Sequence, residues 1–250
     1  MKPVSALVDP RNIAGSLSAR LADVHDAIVS CERCPRLRTY CRTIAQQKKR
    51  AYQADTYWGR PVPGFGDRDA RLLLVGLAPA AHGANRTGRV FTGDGAGGAG
   101  DFLMSALHRT GFASIPTSRQ IDDGLILKDA YIVMAVRCAP PDNKPLPEEI
   151  TRCLDHLEAE VNTVSHAQVV VGLGKIGFDV WLQLLRRRGV RVSPRPLFAH
   201  GSVMHMPDGP AGPHTLLGCY HPSRQNTNTG KLTPVMMEKV FRKARTMLSG

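Results

Sequence analysis

Gly76-Leu-Ala-Pro-Ala-Ala-His-Gly-Ala-Asn-Arg-Thr-Gly-Arg-Val-Phe-Thr-Gly-Asp94 is the stretch on which the reading of this chain turns. Ahead of it, the apolar run Leu72 to Val75 has the length of a short buried strand, and behind it a helical pattern begins near Ala99. A loop at the carboxyl end of a buried strand is where open α/β sheets place their ligands. Its glycines let the backbone approach a ligand closely and present N–H donors. Phe91 offers an apolar face, His82 a polar edge, and Asp94 an anion or a base. A turn that only reverses the chain needs none of these.

Outward from this loop the pattern repeats. Strands are expected at 71–76, 131–136, 168–171 and 215–220. Between them, residues 99–111 carry Phe102, Leu103, Ala106 and Leu107 at helical spacing, and a helix opening at Pro147 carries Cys153, Leu154, Leu157 and Val161. A third helix ends in Arg186-Arg187-Arg188, where the helix dipole favours positive charge, and a last one spans 234–248. Strands alternating with helices predict an α/β fold whose parallel sheet is covered on both faces. Upstream, Leu17, Leu21, Val24 and Ile28 predict an amphipathic helix. Residues 1–15 read as a loose tail and 16–250 as a single domain, within which Arg60–Gly66 is a Pro- and Gly-rich connection without regular structure. Residues 190–214 are turn-rich, with one edge strand expected near Ser202–His205.

The composition narrows the class. No run of about 18 apolar residues exists to cross a membrane, and Met1–Ser18 lacks the apolar core of an export signal, so a cytoplasmic protein is expected. A net charge of +12 points to a polyanionic partner, with nucleic acid first. Six cysteines in such a compartment suggest metal or chemistry before disulfides.

Three further motifs carry chemistry. Gly172-Leu-Gly174-Lys-Ile-Gly177 fits the dinucleotide fingerprint between strand and helix, and Arg186–Arg188 offers a phosphate clamp. No acidic residue stands about twenty positions on to hold a ribose, so glycines packing a strand against a helix are the favoured reading. Cys31-x-x-Cys34, with Cys138 and Cys153, makes a set able to bind zinc or an iron–sulfur cluster, and the wide spacing of the second pair favours the cluster. Cys219 reads as a small buried hydrophobe, while Cys41 is left open as a stand-in ligand. His221 ends the last strand and opens Pro-Ser223-Arg224-Gln225-Asn226, side chains suited to phosphates and base edges.

With Gly76–Asp94, Arg137–Pro145, His221–Gly230 and the four cysteines in order, the chain closely resembles the type B (family five) uracil-DNA glycosylases from Cys31 to Leu248. The resemblance implies a three-layer α/β/α sandwich around a four-stranded parallel sheet. It also implies a 4Fe–4S cluster on Cys31, Cys34, Cys138 and Cys153, and a monofunctional hydrolase acting on uracil and other altered bases in double-stranded DNA. Phe91 then matches the platform that stacks on a flipped base, Asp94 the carboxylate that places water, Asn143 a base-edge contact, and His221 the donor to the departing base. Gly76, Leu77, Ala78 and His82 would line the pocket floor, and Pro222–Asn228 would enter the duplex. Better-known relatives in the wider superfamily carry an acidic or amide side chain where this chain has Ala78, which moves the burden to Asp94 and to leaving-group stabilisation. A monomer associated with the nucleoid through DNA is expected. A nucleotide-dependent oxidoreductase using Gly172–Gly177, and a non-catalytic DNA-binding iron–sulfur protein, are the rival classes.

Overall fold

The computed structural model describes residues 10–205 and 215–249. Five-residue runs of wholly buried side chains make the central strands: β2 (Leu72–Gly76), β3 (Ala130–Met134), β4 (Val169–Leu173) and β6 (Thr215–Cys219). These four are parallel, in the order β3-β2-β4-β6, with Leu74 opposite Ile132 on one side and Val171 on the other. The sheet does not stop at four strands. The antiparallel strands β1 (Phe65–Gly66) and β5 (Val203–His205) cap its two edges, making six in all. β5 lies at the expected edge position. β1 falls inside the Pro- and Gly-rich connection, where two residues suffice to satisfy the outer edge of β3.

Alternation along each strand divides the core in two. Leu72, Leu74, Ile132, Met134, Val169, Val171 and Leu217 face one layer. That layer is built from α4 (Ala99–Arg109) and α8 (Pro234–Ser249), which pack on each other. Leu73, Val75, Tyr131, Val133, Val170 and Leu216 face the other, beneath α5 (Pro147–Thr163) and α6 (Gly174–Arg187). The result is the α/β/α sandwich. α1 (Pro10–Val29) lies along α5 and begins five residues ahead of the expected end of the tail; the expectation for residues 1–9 falls outside the described residues. α2 (Pro35–Gln47) follows the first cysteine pair directly, opened by Pro35 in its first turn, and buries Leu37, Arg38 and Cys41. Its polar composition hides it from periodicity.

The glycines at 172–177 are consumed by packing. A side chain on Gly172 would meet the Phe178 Cα at 2.7 Å, and one on Gly177 would meet the Val75 carbonyl oxygen at 2.1 Å. Arg187 and Arg188 at the end of α6 pair with Glu158 of α5, at 3.1 and 3.2 Å, and Arg187 also with Asp155 at 2.6 Å. Both halves of the dinucleotide reading are thereby spent on structure.

One buried carboxylate joins four segments. Glu160 of α5 is fully buried; its Oε1 accepts the Gly64 N–H at 2.7 Å and the Tyr131 hydroxyl at 2.9 Å, and lies 3.0 Å from His25 Nε2 on α1. Its Oε2 lies 2.6 Å from Arg137 Nη1, also buried, just past β3. Burial alone would raise the Glu160 pKa, but the Arg137 charge and these donors hold it below the ordinary glutamate value. Glu160→Ala strands Arg137 in the core, and the expected loss is about 3–5 kcal/mol, read as a shifted denaturation midpoint. Glu160→Gln, which keeps one acceptor, should lose less.

Candidate active site

The loop after β2, which contains the short helix α3 (Ala84–Thr87), is held from within. Arg86 donates to the His82 carbonyl at 2.9 Å and the Gly93 carbonyl at 2.7 Å, and pairs with Asp55 at 2.5 Å while lying over the Tyr52 ring. Arg89, buried, donates to Thr92 Oγ1 at 2.9 Å and clasps Asp123 at 2.8 Å. Asn85 donates to the Cys41 carbonyl at 3.3 Å. The polar residues that made this loop look crowded with chemistry are mostly its internal braces. What they leave facing the cavity is Leu77, Ala78, Ala80, Ala84, Phe91 and Asp94.

Phe91 sits at φ +50°, a left-handed backbone that a bulky residue adopts only under constraint. The constraint is visible beneath it: a side chain on Gly100 would meet the Phe91 carbonyl oxygen at 2.2 Å. The ring is thereby turned toward His221, with centroids 5.8 Å apart and planes inclined by 30°. Asp94 is tucked against two glycines, and a Cβ on Gly83 would lie 2.1 Å from its Oδ1. Burial raises the Asp94 pKa, against the pull of the Gly100 N–H and the Arg224 and Arg86 charges. His221 is lowered to about 4 by burial, so near neutrality it is an uncharged imidazole. Gly174, at φ +83°, lies under the His221 Cβ, which a side chain there would approach to 3.1 Å.

The cavity is about 550 Å³, with Leu77, Ala78 and Met134 on its floor, Phe91 and His221 on its walls, and Asp94 at one end. Asp142 and Asn143, both with positive φ (53° and 57°), form its rim with Ser223, Arg224 and Gln225. A cavity with these walls and this rim suits a flat ring with a polar edge. The family model for the uracil DNA glycosylase superfamily matches residues 63–245, which span every one of these side chains.

The chain belongs to the uracil-DNA glycosylase superfamily. It is 46% identical to a type-5 uracil-DNA glycosylase of Mycobacterium tuberculosis over 228 residues, covering 91% of this chain and 81% of that protein. It is 47% identical over 220 residues to a type-5 enzyme of Thermus thermophilus, covering 88% and 94%. With a type-5 enzyme of Pyrobaculum aerophilum it shares 41% over 222 residues, covering 89% and 91%. No helix among the described residues is long and apolar enough to cross a membrane.

Within this superfamily member, the expected residues divide by duty. Gly76 lies under the base cavity, where a side chain would meet Met134 Sδ at 2.6 Å and Phe91 Cε2 at 3.2 Å. His82 lies next door, in an adjoining cavity, rather than on the floor. Ser223 caps the short helix α7 (Arg224–Asn228), and Asn226 Nδ2 donates to the His221 carbonyl at 2.8 Å, so both position the loop. Arg224 and Gln225 are exposed on the rim, and Arg224 Nη2 donates to the Asp94 carbonyl at 3.2 Å. Tyr57 was not singled out in sequence; its hydroxyl lies 3.0 Å from His82 Nδ1, across a separation no periodicity reports.

Cys31, Cys34, Cys138 and Cys153 line one further cavity, between α2, α5 and the segment after β3. Among the described residues no three Cys, His, Asp or Glu side chains form a group placed to hold a single metal ion. Cationic donors face them. Arg33 Nε lies 3.4 Å from Cys31 Sγ and buried Arg38 Nη1 lies 4.0 Å from Cys138 Sγ. The neighbouring His156 is the largest influence holding the Cys31 thiol down at about 6. Arg137 lines the same space, and its Nε and Nη2 are buried without a hydrogen-bond partner among the described residues. Cys41 is buried beside Cys138, its Sγ 3.6 Å from the Ala139 carbonyl oxygen.

A carboxyl whose folded pKa is raised costs stability wherever it is ionised and costs nothing once protonated. Asp94→Asn is therefore expected to be more stable than the parent at neutral pH. The gap should close as pH falls through the raised Asp94 pKa, as thermal melts across a pH series will read.

Proposed function

We propose that this protein hydrolyses the N-glycosidic bond of uracil, and of other deaminated or modified bases, in double-stranded DNA and leaves an abasic site. The observation that carries the reading is the convergence of Phe91, Asp94 and neutral His221 on one cavity whose polar rim carries the exposed Arg224. A base in a duplex must leave its stack, at a cost of a few kcal/mol, before its glycosidic bond is reachable. Phe91 then supplies an apolar face for the ring, and Asn143 stands at the rim within the same cavity for its edge. As the bond stretches, negative charge grows on the base and positive charge on the sugar. An uncharged imidazole is a donor that can stabilise the first without itself losing a proton, and the Asp94 carboxylate can orient water and answer the second. Arg224 and its neighbours on α7 meet phosphates and fill the vacated stack. Ala78 places only a methyl group on the floor, which leaves room for rings larger than uracil. We read the protein as a monomer acting on cytoplasmic, nucleoid DNA.

Cys31, Cys34, Cys138 and Cys153 are assigned in this reading to a 4Fe–4S cluster. Four thiols lining one space, faced by Arg33, Arg38, His156 and the partnerless N–H groups of Arg137, suit an anionic cluster. The cluster would serve as a structural tie between α2 and α5. Purified protein is expected to be brown and to contain iron and sulfide; stoichiometric zinc without iron in anaerobically prepared protein would reverse the assignment.

The deciding experiment incubates the protein with a uracil-containing duplex, treats with alkali and looks for scission at the uracil. Asp94→Asn should lower single-turnover cleavage by ~10²–10⁴, and His221→Ala by ~10²–10³. Only the His221→Ala loss should shrink when an electron-withdrawing ring substituent makes the base a better leaving group. Equal sensitivity of the two variants would refute the division of labour. Activity should also fall on the acid side as Asp94 takes up a proton, above the usual aspartate range because its pKa is raised.

A further inference from the structure

Beside the base cavity lies a second one of about 420 Å³, sharing with it Ala80, Asp94, Asp142, Asn143 and Arg224. Its own wall carries Lys49 and His82. The tautomer of His82 follows from its partner. The Tyr57 hydroxyl, buried, accepts the Lys49 backbone N–H at 3.3 Å and lies 3.0 Å from His82 Nδ1. A buried O–H left without an acceptor is costly, and His82 Nδ1 is the acceptor in reach. Tyr57 therefore donates to Nδ1, and the ring carries its own hydrogen on Nε2. Burial first, then the Lys49 and Arg86 charges, lower the His82 pKa, so the ring stays neutral and this tautomer persists near neutrality.

We propose that this second cavity seats a phosphate flanking the flipped nucleotide, held by His82 Nε2–H, Lys49 and Arg224, with Tyr57 as the positioning residue that aims His82. The inference rests on the uracil-excision reading. A nucleotide whose base occupies the Phe91–His221 cavity must carry its backbone out across the shared rim, and the adjoining space is where that backbone passes. A directed neutral donor beside an ammonium and a guanidinium suits a phosphodiester oxygen, whereas an uncharged base edge gains little from two cations. The lining also holds two carboxylates, Asp94 against Gly83 and the exposed Asp142, which the Lys49 and Arg224 charges offset.

The test is a chemical double-mutant cycle on single-turnover cleavage at limiting enzyme. Duplexes carry uracil with either the 3′ or the 5′ flanking phosphate replaced by an uncharged methylphosphonate. For the wild type, one of the two replacements should lower efficiency by about tenfold, the scale of a hydrogen bond to a charged group. His82→Ala should lose about as much on the natural backbone and lose little more on that methylphosphonate. His82→Gln, whose amide N–H can reach the Nε2 position, should recover most activity and regain the sensitivity, and Tyr57→Phe should fall between. Losses that multiply, or a wild type indifferent to both replacements, would overturn the phosphate site. A wild type inert on the unmodified uracil duplex would instead overturn the excision reading beneath it.

Discussion

Glu160 is a carboxylate taken wholly out of water, and the need to answer its charge organises the molecule. Its neighbours come from places that secondary structure alone would not bring together: the first helix through His25, the Arg60–Gly66 connection through Gly64, the third strand through Tyr131, and the following segment through Arg137. Arg137 is held there with Cys138 next in sequence, and Cys153 lies on the same helix as Glu160. The geometry of the cysteine cavity is thus inherited from an ion pair. Such a pair adds little net stability over an apolar substitute. Its contribution is to fix which segments meet.

The active-site loop uses the same economy of braces. Arg86 and Arg89 tie it internally, and the backbone they impose forces Phe91 into a left-handed conformation over Gly100. The ring and the Asp94 carboxylate are therefore presented in place before any ligand arrives. Preorganisation of this kind lets the site stabilise developing charge without rearranging at the moment of reaction.

The strands and the large helices were legible because burial on both faces demands continuous apolar runs, and Leu72–Val75 or Val169–Val171 can hardly be anything else. Phe91, Asp94 and His221 stood out because each follows a strand with residues a core does not need. The edge strand at Phe65–Gly66 and the polar helix Pro35–Gln47 were not, since pairing partners and a cysteine cavity, rather than periodicity, create them. Nor could sequence single out the loop's struts: Arg86 and Arg89 brace it through contacts that no spacing reports. Tyr57 and His82 meet across a fold-dependent distance that no spacing rule encodes. His82, expected on the pocket floor, lies one cavity over.

The bond from Asn226 Nδ2 to the His221 carbonyl has a mechanical meaning. It ties the end of the last strand to the short helix behind it, across Pro222 and Ser223. Under the proposed function, the helix that would enter the base stack and the imidazole that would meet the extruded ring are therefore joined by one bond, so the placement of each bears on the other.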